Sequence, residues 1–447
     1  MAVKKKNRIL VLAMTAVVTI FIAGGAYAGL NRYDEVYKDV KMYFSSADTN
    51  EVFYNQATRT TINYEVEEKS ENKTEKTPPR VTKEEFDSIN NAYVSQYFLD
   101  FLDEGDQKVY HQLYKGIYDF EKSIPIENNV LKQDDVGDFI VLFTSSNPYV
   151  NYIGANYTIS LNKKGYVTAV NVEYSLTKDE AESQRRELDR KIDSIISGIT
   201  PGMSDYDKVK YLHDYVVTHC NYDDKCPQPY SAYGCLVQGR CVCEGYTKAM
   251  LALCDKAGIK AIPVVGKAAE TGDYQGHIWN KISISDKWYN FDVTWDDPTG
   301  EMGEKYIRYD YFGLTDKQME RNHTPDNNKY MSYPSAESSQ ANYFEINGLV
   351  CDDGRQAGET MEKAIMQAIE SKEGLARIRC TDKDAYTHAL ETLFETENGT
   401  TGTFTVLNYL LESRNKKKVV SYSIINNDEA YTITVKFDVV AQQDEKI

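Results

Sequence analysis

The chain has 447 residues, 41% of them hydrophobic, and 68 Asp and Glu outweigh 51 Lys and Arg for a formal net charge of −17 at pH 7. A length of this order holds two to four domains at roughly 100–200 residues each, and the acidic balance argues against nucleic acid and anionic membrane surfaces as partners. The 35 tyrosines suit wet or extended contact surfaces but name no ligand.

Lys4, Lys5, Lys6 and Arg8 precede an apolar run over 9–23, and Ala26-Tyr27-Ala28 has the small-x-small form of a signal peptidase site. Residues 1–28 therefore read as a signal peptide, with an uncleaved membrane anchor as the alternative, since 9–28 is about long enough to span a bilayer. The expected location is outside the cell or at its surface, and the membrane is a partner only if the segment stays uncleaved. Residues 29–82 read as an N-terminal segment with short strands, such as 60–64, and a polar linker over 65–80 that ends in Pro78-Pro79. Thr82, with Glu85 three residues on, predicts a helix start whose apolar stripe runs through Phe86, Tyr93, Tyr97 and Phe101. The rest of 83–186 reads as an α+β module with an apolar run at 139–143 and strands near 157–161 and 167–174.

The next segment, 187–330, holds the chemistry. A helix with Leu188, Ile192, Ile195, Ile196 and Ile199 on one stripe is broken by Pro201-Gly202, and Ser204 starts another that includes His213 and His219, read as packing or surface residues. A third helix begins at Cys243: Tyr246, Met250, Leu253 and Ala257 recur at helical spacing, and Gly258 stands where a cap belongs. Unsatisfied amides at a helix N-terminus favour a thiolate, which makes Cys243 a candidate nucleophile. Residues 276–284 and 288–295 read as two strands joined at Ser285-Asp286. A two-residue turn there pairs residues whose numbers sum to 571, setting His277 opposite Thr294 and Trp279 opposite Asp292. His277 and Asp292 then share a face as diagonal neighbours roughly 7–8 Å apart at the backbone, within side-chain reach. A carboxylate so placed fixes the tautomer and orientation of an imidazole base.

Val242-Cys243-Glu244-Gly245-Tyr246, His277-Ile278-Trp279-Asn280 and the run from Trp288 to Asp297, in this order, resemble the transglutaminase-like superfamily in its secreted bacterial branch. The resemblance implies an α+β, papain/transglutaminase-like core, with a catalytic Cys at a helix N-terminus packed on an antiparallel sheet that carries His and Asp. It implies Cys243 as nucleophile, His277 as base and Asp292 as orienter. Some transglutaminases use calcium, but the residue spacing here leads us to expect no metal, and no cofactor is expected. Cys241 stands where many relatives carry glycine. The implied activity is acyl transfer from peptide or glutamine-type amides, more as hydrolysis than as cross-linking. The implied partner is a peptide or protein substrate, cell-wall peptide included. The alternative is a noncatalytic surface module that keeps the fold for binding. The Cys243 amide would serve the oxyanion with Tyr233 or Gln238 as side-chain candidates, and Trp279 and Trp288 would wall the cleft. His323 is a second candidate base that no strand pattern orients.

Residues 340–447 read as a C-terminal α/β module: strands near 343–350 and 376–379, helices near 362–370 and 383–394, and closing strands at 419–425 and 431–439. Of the eight cysteines, Cys243 must stay free and Cys254 suits a buried helix face. Cys351 and Cys380 are the expected disulfide, while Cys220, Cys226, Cys235 and Cys241 are left open. A zinc reading of that cluster with His219 lacks paired Cys-x-x-Cys spacing. Asp223-Asp224 and Asp296-Asp297 lack the acidic spacing of a calcium loop and read as surface turns.

Overall fold

Alternating strands and capped helices distribute the described residues of the computed structural model, 53–66, 77–269, 272–298, 306–394, 396–397, 400–401 and 417–441, over three main sheets. The leader and any strands within 29–52 lie outside the described residues. The first sheet takes β1 (Phe53–Tyr54), β2 (Thr61–Val66), β3 (Ser123–Pro125), β4 (Ile153–Leu161) and β5 (Val167–Tyr174) in the order β1-β2-β4-β5-β3. Only β2 and β4 run parallel.

Helices α1 (Lys83–Ile89), α2 (Tyr93–Leu99), α3 (Glu104–Tyr118) and α4 (Gln133–Ser145) stand between these strands. Thr82 caps α1 by accepting from the Glu85 amide at 3.2 Å. The single helix expected through Phe101 is two, because Asn90 ends α1 in an extended conformation. Its side chain turns inward, donating to Ser95 Oγ at 3.1 Å and Asn147 Oδ1 at 2.8 Å in a buried polar network. An Asn that offers such partners competes with the helix ladder. The apolar run 139–143 is the buried face of α4.

Capping boxes open α5 (Lys178–Ile196) at Thr177 and Glu180, and α6 (Asp205–His219) at Ser204 and Asp207. The short strands β6 (Asn221–Tyr222) and β7 (Arg240–Cys241) pair in parallel around a π-helical turn at Gly234–Gln238. Helix α7 (Cys243–Lys256) is buried on every side from Cys243 to Cys254, as a helix in the middle of a core is. Its end is closed by Gly258 at φ 71° and by the Ile259 amide on Cys254 O at 2.8 Å.

The second sheet contains β8 (Ala261–Ala268), β9 (Gln275–Ile284), β10 (Lys287–Phe291), β11 (Phe312–Leu314) and β12 (His323–Pro325) in the order β11-β10-β9-β8-β12, all antiparallel. Helix α7 docks on it through Thr247, whose hydroxyl donates to Ile278 O at 3.0 Å and whose carbonyl accepts from Asn280 Nδ2 at 3.2 Å. Helix α8 (Asp316–Met319) joins β11 to β12.

The chain closes with α9 (Tyr343–Asn347), β13 (Val350–Cys351), α10 (Ala357–Ser371), β14 (Leu375–Cys380), α11 (Lys383–Phe394), the short pair β15 (Thr396–Glu397) and β16 (Thr400–Thr401), β17 (Lys417–Asn427) and β18 (Thr432–Ala441). The third sheet has the order β13-β14-β18-β17. A strand across 343–350 does not form. Asn342 accepts from the Phe344 and Glu345 amides and starts a helical turn, which Gly348 at φ 61° ends before β13 begins.

Candidate active site

The thiol of Cys243 owes its position to a close approach. Strand β7 leads through Val242, the extended N-cap of α7, whose amide donates to Pro229 O at 2.9 Å and whose carbonyl accepts from Gly245 at 2.8 Å. Gly245 admits this geometry, since a Cβ there would stand 2.4 Å from Cys241 Cβ and 2.8 Å from Pro229 O. Cys243 thus occupies the first helical position, where backbone N–H groups have no intrahelical acceptor and the helix end is positive.

The hairpin forms as its turn residues predict. Ser285 and Asp286 both take positive φ, 51° and 59°, as a tight two-residue turn requires. The pairs Trp288–Ser283 and Phe291–Asn280 hold the expected register. Asp292 follows directly, and its Oδ2 lies 2.5 Å from His277 Nε2. Its Oδ1 accepts from the amides of Thr294 at 3.0 Å and Trp295 at 3.2 Å. The Cys243 thiol lies near enough to His277 to help raise its pKa, and all three side chains are buried. Burial alone would push the His277 proton off, but the charge and hydrogen bond of Asp292, with Cys243 adding to them, raise its pKa to about 10. Burial likewise opposes the Asp292 charge, and the two histidines on it outweigh that, holding the carboxyl well below the usual range.

The second of those histidines is His323, which the sequence left without a strand. It opens β12, where it pairs with Ala268, and its Nε2 lies 3.0 Å from the same Asp292 Oδ2. Among the described residues, His277, Asp292 and His323 form one of two groups whose spacing could also hold a metal ion. The hydrogen bonds already satisfying Asp292 account for that convergence without one.

The sequence profile of the transglutaminase-like superfamily matches residues 193–293. This segment is transglutaminase-like. The match spans Cys243, His277 and Asp292, and the mixed helices and sheets around them are those of an α+β, papain/transglutaminase-like core. No curated protein matches the chain. Among solved structures, a provisionally assigned cysteine protease from Cytophaga hutchinsonii is 18% identical over 29% of this chain and 51% of its own, with a TM-score of 0.22. A TGase is 17% identical over 34% of this chain and 53% of its own, with a TM-score of 0.23. Menin, described with its binding site for Mixed Lineage Leukemia protein, is 14% identical over 76% and 63%, with a TM-score of 0.21. The matched region thus spans about half the length of the first two of these chains.

Around the transglutaminase-like centre, the other expected residues divide. Trp279 is there: its ring lies 6.2 Å from His277 and its Nε1 donates to Asn290 Oδ1 at 3.1 Å. Trp288 is not, because it sits six pairs toward the turn, about 20 Å along the strand, with its ring on Tyr97 at 6.0 Å. Trp295 takes the wall position instead, 5.6 Å from His277 and 4.5 Å from His323. Tyr233 directs its hydroxyl to Glu187 at 2.6 Å, and Gln238 is exposed at the end of the π-helical turn. The rim includes residues that carried no signal. Tyr222, itself exposed, lies near enough to Cys243 to feel its charge, Gln56 accepts from the Gly276 amide at 3.0 Å, and Arg59 stands over the Tyr230 ring at 5.1 Å.

Two further expectations are corrected. Asp296 and Asp297 are buried rather than surface turns: Asp296 meets His213 Nε2 at 3.0 Å, and Asp297 accepts from Tyr246 at 2.5 Å. His213 is fully buried, and His219 stacks on Tyr215. All eight cysteines stand as free thiols. Cys351 and Cys380 are neighbours in register on β13 and β14, whereas Cys220, Cys235 and Cys241 converge behind Cys243 with Cys220 and Cys241 sulfurs 3.3 Å apart.

Proposed function

We propose that this protein is an exported, cysteine-dependent acyl-transfer enzyme that hydrolyses peptide or glutamine-type amides through Cys243, His277 and Asp292. The single observation that carries the reading is His277, its Nε2 held by Asp292 Oδ2 at 2.5 Å, beside the Cys243 thiol at the start of a buried helix. In this reading the Cys243 sulfur adds to the carbonyl carbon, and the developing oxyanion meets the Cys243 amide at the positive helix end. The carbon–nitrogen bond then breaks, His277 passes its proton to the leaving amine, and a thioester to Cys243 remains. The now neutral His277 takes a proton from water as the water adds to the thioester, the acid leaves and the Cys243 thiolate returns, while Asp292 orients the imidazole and stabilises it whenever it carries the proton. An amine in place of water would give cross-linking. Hydrolysis of a peptide, cell-wall peptide included, is the favoured outcome in this reading, with Trp279 and Trp295 packed beside His277.

The test is the iodoacetamide alkylation rate of each cysteine at pH 6, followed by peptide mass spectrometry on the native chain and on His277→Ala. Cys243 should react at least about tenfold faster in the native chain than in the variant, and Cys243→Ala should lose all turnover of peptide amides while staying folded. Equal rates in the two chains would remove the dyad and with it the reading.

A further inference from the structure

We propose that His323 is a positioning residue of this centre: its Nε2–H holds the Asp292 carboxylate and so keeps the His277 imidazole aligned with Cys243. The inference rests on the acyl-transfer reading above, and its test separates the two.

Three observations carry it. First, His323 and His277 approach the same oxygen, Asp292 Oδ2, at 3.0 Å and 2.5 Å, so the carboxylate is pinned from both sides in the direction that matters to the base. Second, the ring of His323 is held in place. It is fully buried, walled by Trp279, Trp295 and Tyr311 at ring distances of 5.1, 4.5 and 5.4 Å, and its Nδ1 lies 2.7 Å from the side chain of Asn322. Asn322 in turn meets the Tyr311 hydroxyl at 2.8 Å. Third, the backbone is arranged for the approach. Gly266 on β8 pairs with His277 on one side and with Pro325 of β12 on the other, and a Cβ at Gly266 would stand 2.2 Å from Thr324 O.

The protonation pattern follows from what each nitrogen faces. Two imidazoles on one carboxylate oxygen do not both carry charge at low cost. Burial and the nearby His277 cation keep His323 on the neutral side, although Asp292 pulls the other way. A neutral ring that donates to Asp292 from Nε2 must accept at Nδ1. The structure sets Asn322 Oδ1 at 2.7 Å from Nδ1 and Nδ2 at 2.8 Å from the Tyr311 hydroxyl; a neutral ring that donates from Nε2 requires the two ends of this amide to be exchanged, nitrogen to the ring and oxygen to the hydroxyl, with both contacts kept. With the ends unexchanged, Oδ1 toward Nδ1, a neutral ring would set a bare Nε2 against a carboxylate oxygen, two acceptors at 3.0 Å. The titratable and charged groups facing this pair are His277, Asp292, Tyr311 and, through His277, Cys243. Lys281 with its partner Asp316, and Glu320, lie across a cavity of about 150 Å³ that His323 also lines.

The experiment is the pH profile of Cys243 alkylation by iodoacetamide, which reports the Cys243–His277 pair rather than either group alone. It is measured on the native full chain, His277→Ala, His323→Gln, His323→Asn and His323→Leu, with thermal melting to show that each is folded. A Gln amide reaches the place of Nε2–H and still donates to Asp292, an Asn amide reaches only the place of Nδ1, and Leu fills the space without a donor. His323→Gln should stay within about threefold of the native rate at pH 6. His323→Leu and His323→Asn should fall about tenfold, with the acid limb of the profile moved to higher pH. A folded His323→Leu with the native profile would make His323 a packing residue and overturn the proposal, as would a folded His323→Gln that falls as far as His323→Leu. Should His323→Leu fail to fold, His323→Asn decides in its place. If the native chain and His277→Ala react alike, the acyl-transfer reading itself falls and takes this role with it. If they differ while the His323 series is flat, only this role falls.

Discussion

Asp292 accepts four hydrogen bonds, two imidazoles on Oδ2 and two backbone amides on Oδ1. All four donors ask for a carboxylate. An amide can satisfy one pair only by turning its NH2 against the other, so Asp292→Asn is expected to cost about 10³–10⁴ in turnover. It should also cost about 1–3 kcal/mol in stability, read from denaturant unfolding. The folded-state pKa of this group lies below its unfolded value. Its contribution to stability is therefore present above about pH 4 and is lost as pH falls. In Asp292→Asn that acid-side loss should shrink, and an unchanged acid limb would show that the charge is not what the two histidines hold.

At the scale of elements, the start of α7 depends on how close β7 and the Pro229 carbonyl come to it. Gly245→Ala would drive a methyl group into Cys241 and Pro229, which are backbone-anchored and cannot step aside. We expect a loss of about 1–3 kcal/mol and a drop in Cys243 alkylation out of proportion to that loss, because Cys243 moves with β7. Native alkylation in Gly245→Ala would show that the contact is soft. Behind the same junction, Cys220 at the end of α6 and Cys241 on β7 have sulfurs 3.3 Å apart. With oxidised glutathione as acceptor of the two electrons and two protons, this pair should form a disulfide before Cys226 or Cys254 is modified, as mapped by peptide mass spectrometry. Cys235, the third buried thiol of the group, should remain reduced.

For the molecule as a whole, the buried ring of His213 ties α6 to the loop that follows Asp292. Its Nε2 meets Asp296 at 3.0 Å, its Nδ1 meets Asp214 at 3.0 Å, and it stacks on Tyr309. Burial opposes its charge, but the two carboxylates prevail and raise its pKa from 6.5 to about 8. A raised folded-state value means stability that is complete below about pH 6.5 and is lost as pH rises through about 8. For the ring by itself the rise corresponds to about 2 kcal/mol, whereas burial of its partner Asp296, raised to about 6 against the pull of His213, takes stability away as pH rises from about 4 to 6, so the ring's share is read above pH 6. Unfolding free energies at pH 6 and pH 9 should differ by about that much more in the native chain than in His213→Gln. Equal differences would show that the ring is neutral in the fold. The C-terminal sheet is tied to the same region, since Asp310, next to Tyr309, accepts from Thr432 at 2.8 Å and Asn427 at 3.0 Å.

What the sequence determined by itself was local or periodic. The start of α7 at Cys243, its end at Gly258, the caps at Thr82 and Ser204, and the hairpin register through Ser285-Asp286 all follow from spacing and turn chemistry. That register is enough to bring His277 and Asp292 together. The tertiary structure decided what depends on distant segments meeting. Asn90 broke a helix because Ser95 and Asn147 offered buried partners, and Asn342 turned an expected strand into a helical turn. Trp295 rather than Trp288 came to wall the site, because strand distance, not residue type, decides which ring reaches His277. His323 joined Asp292 only because Gly266 lets β12 lie against β8, and His213 found Asp296 across 83 residues. Contacts of that kind are set by the packing of whole elements, which no short window of sequence contains.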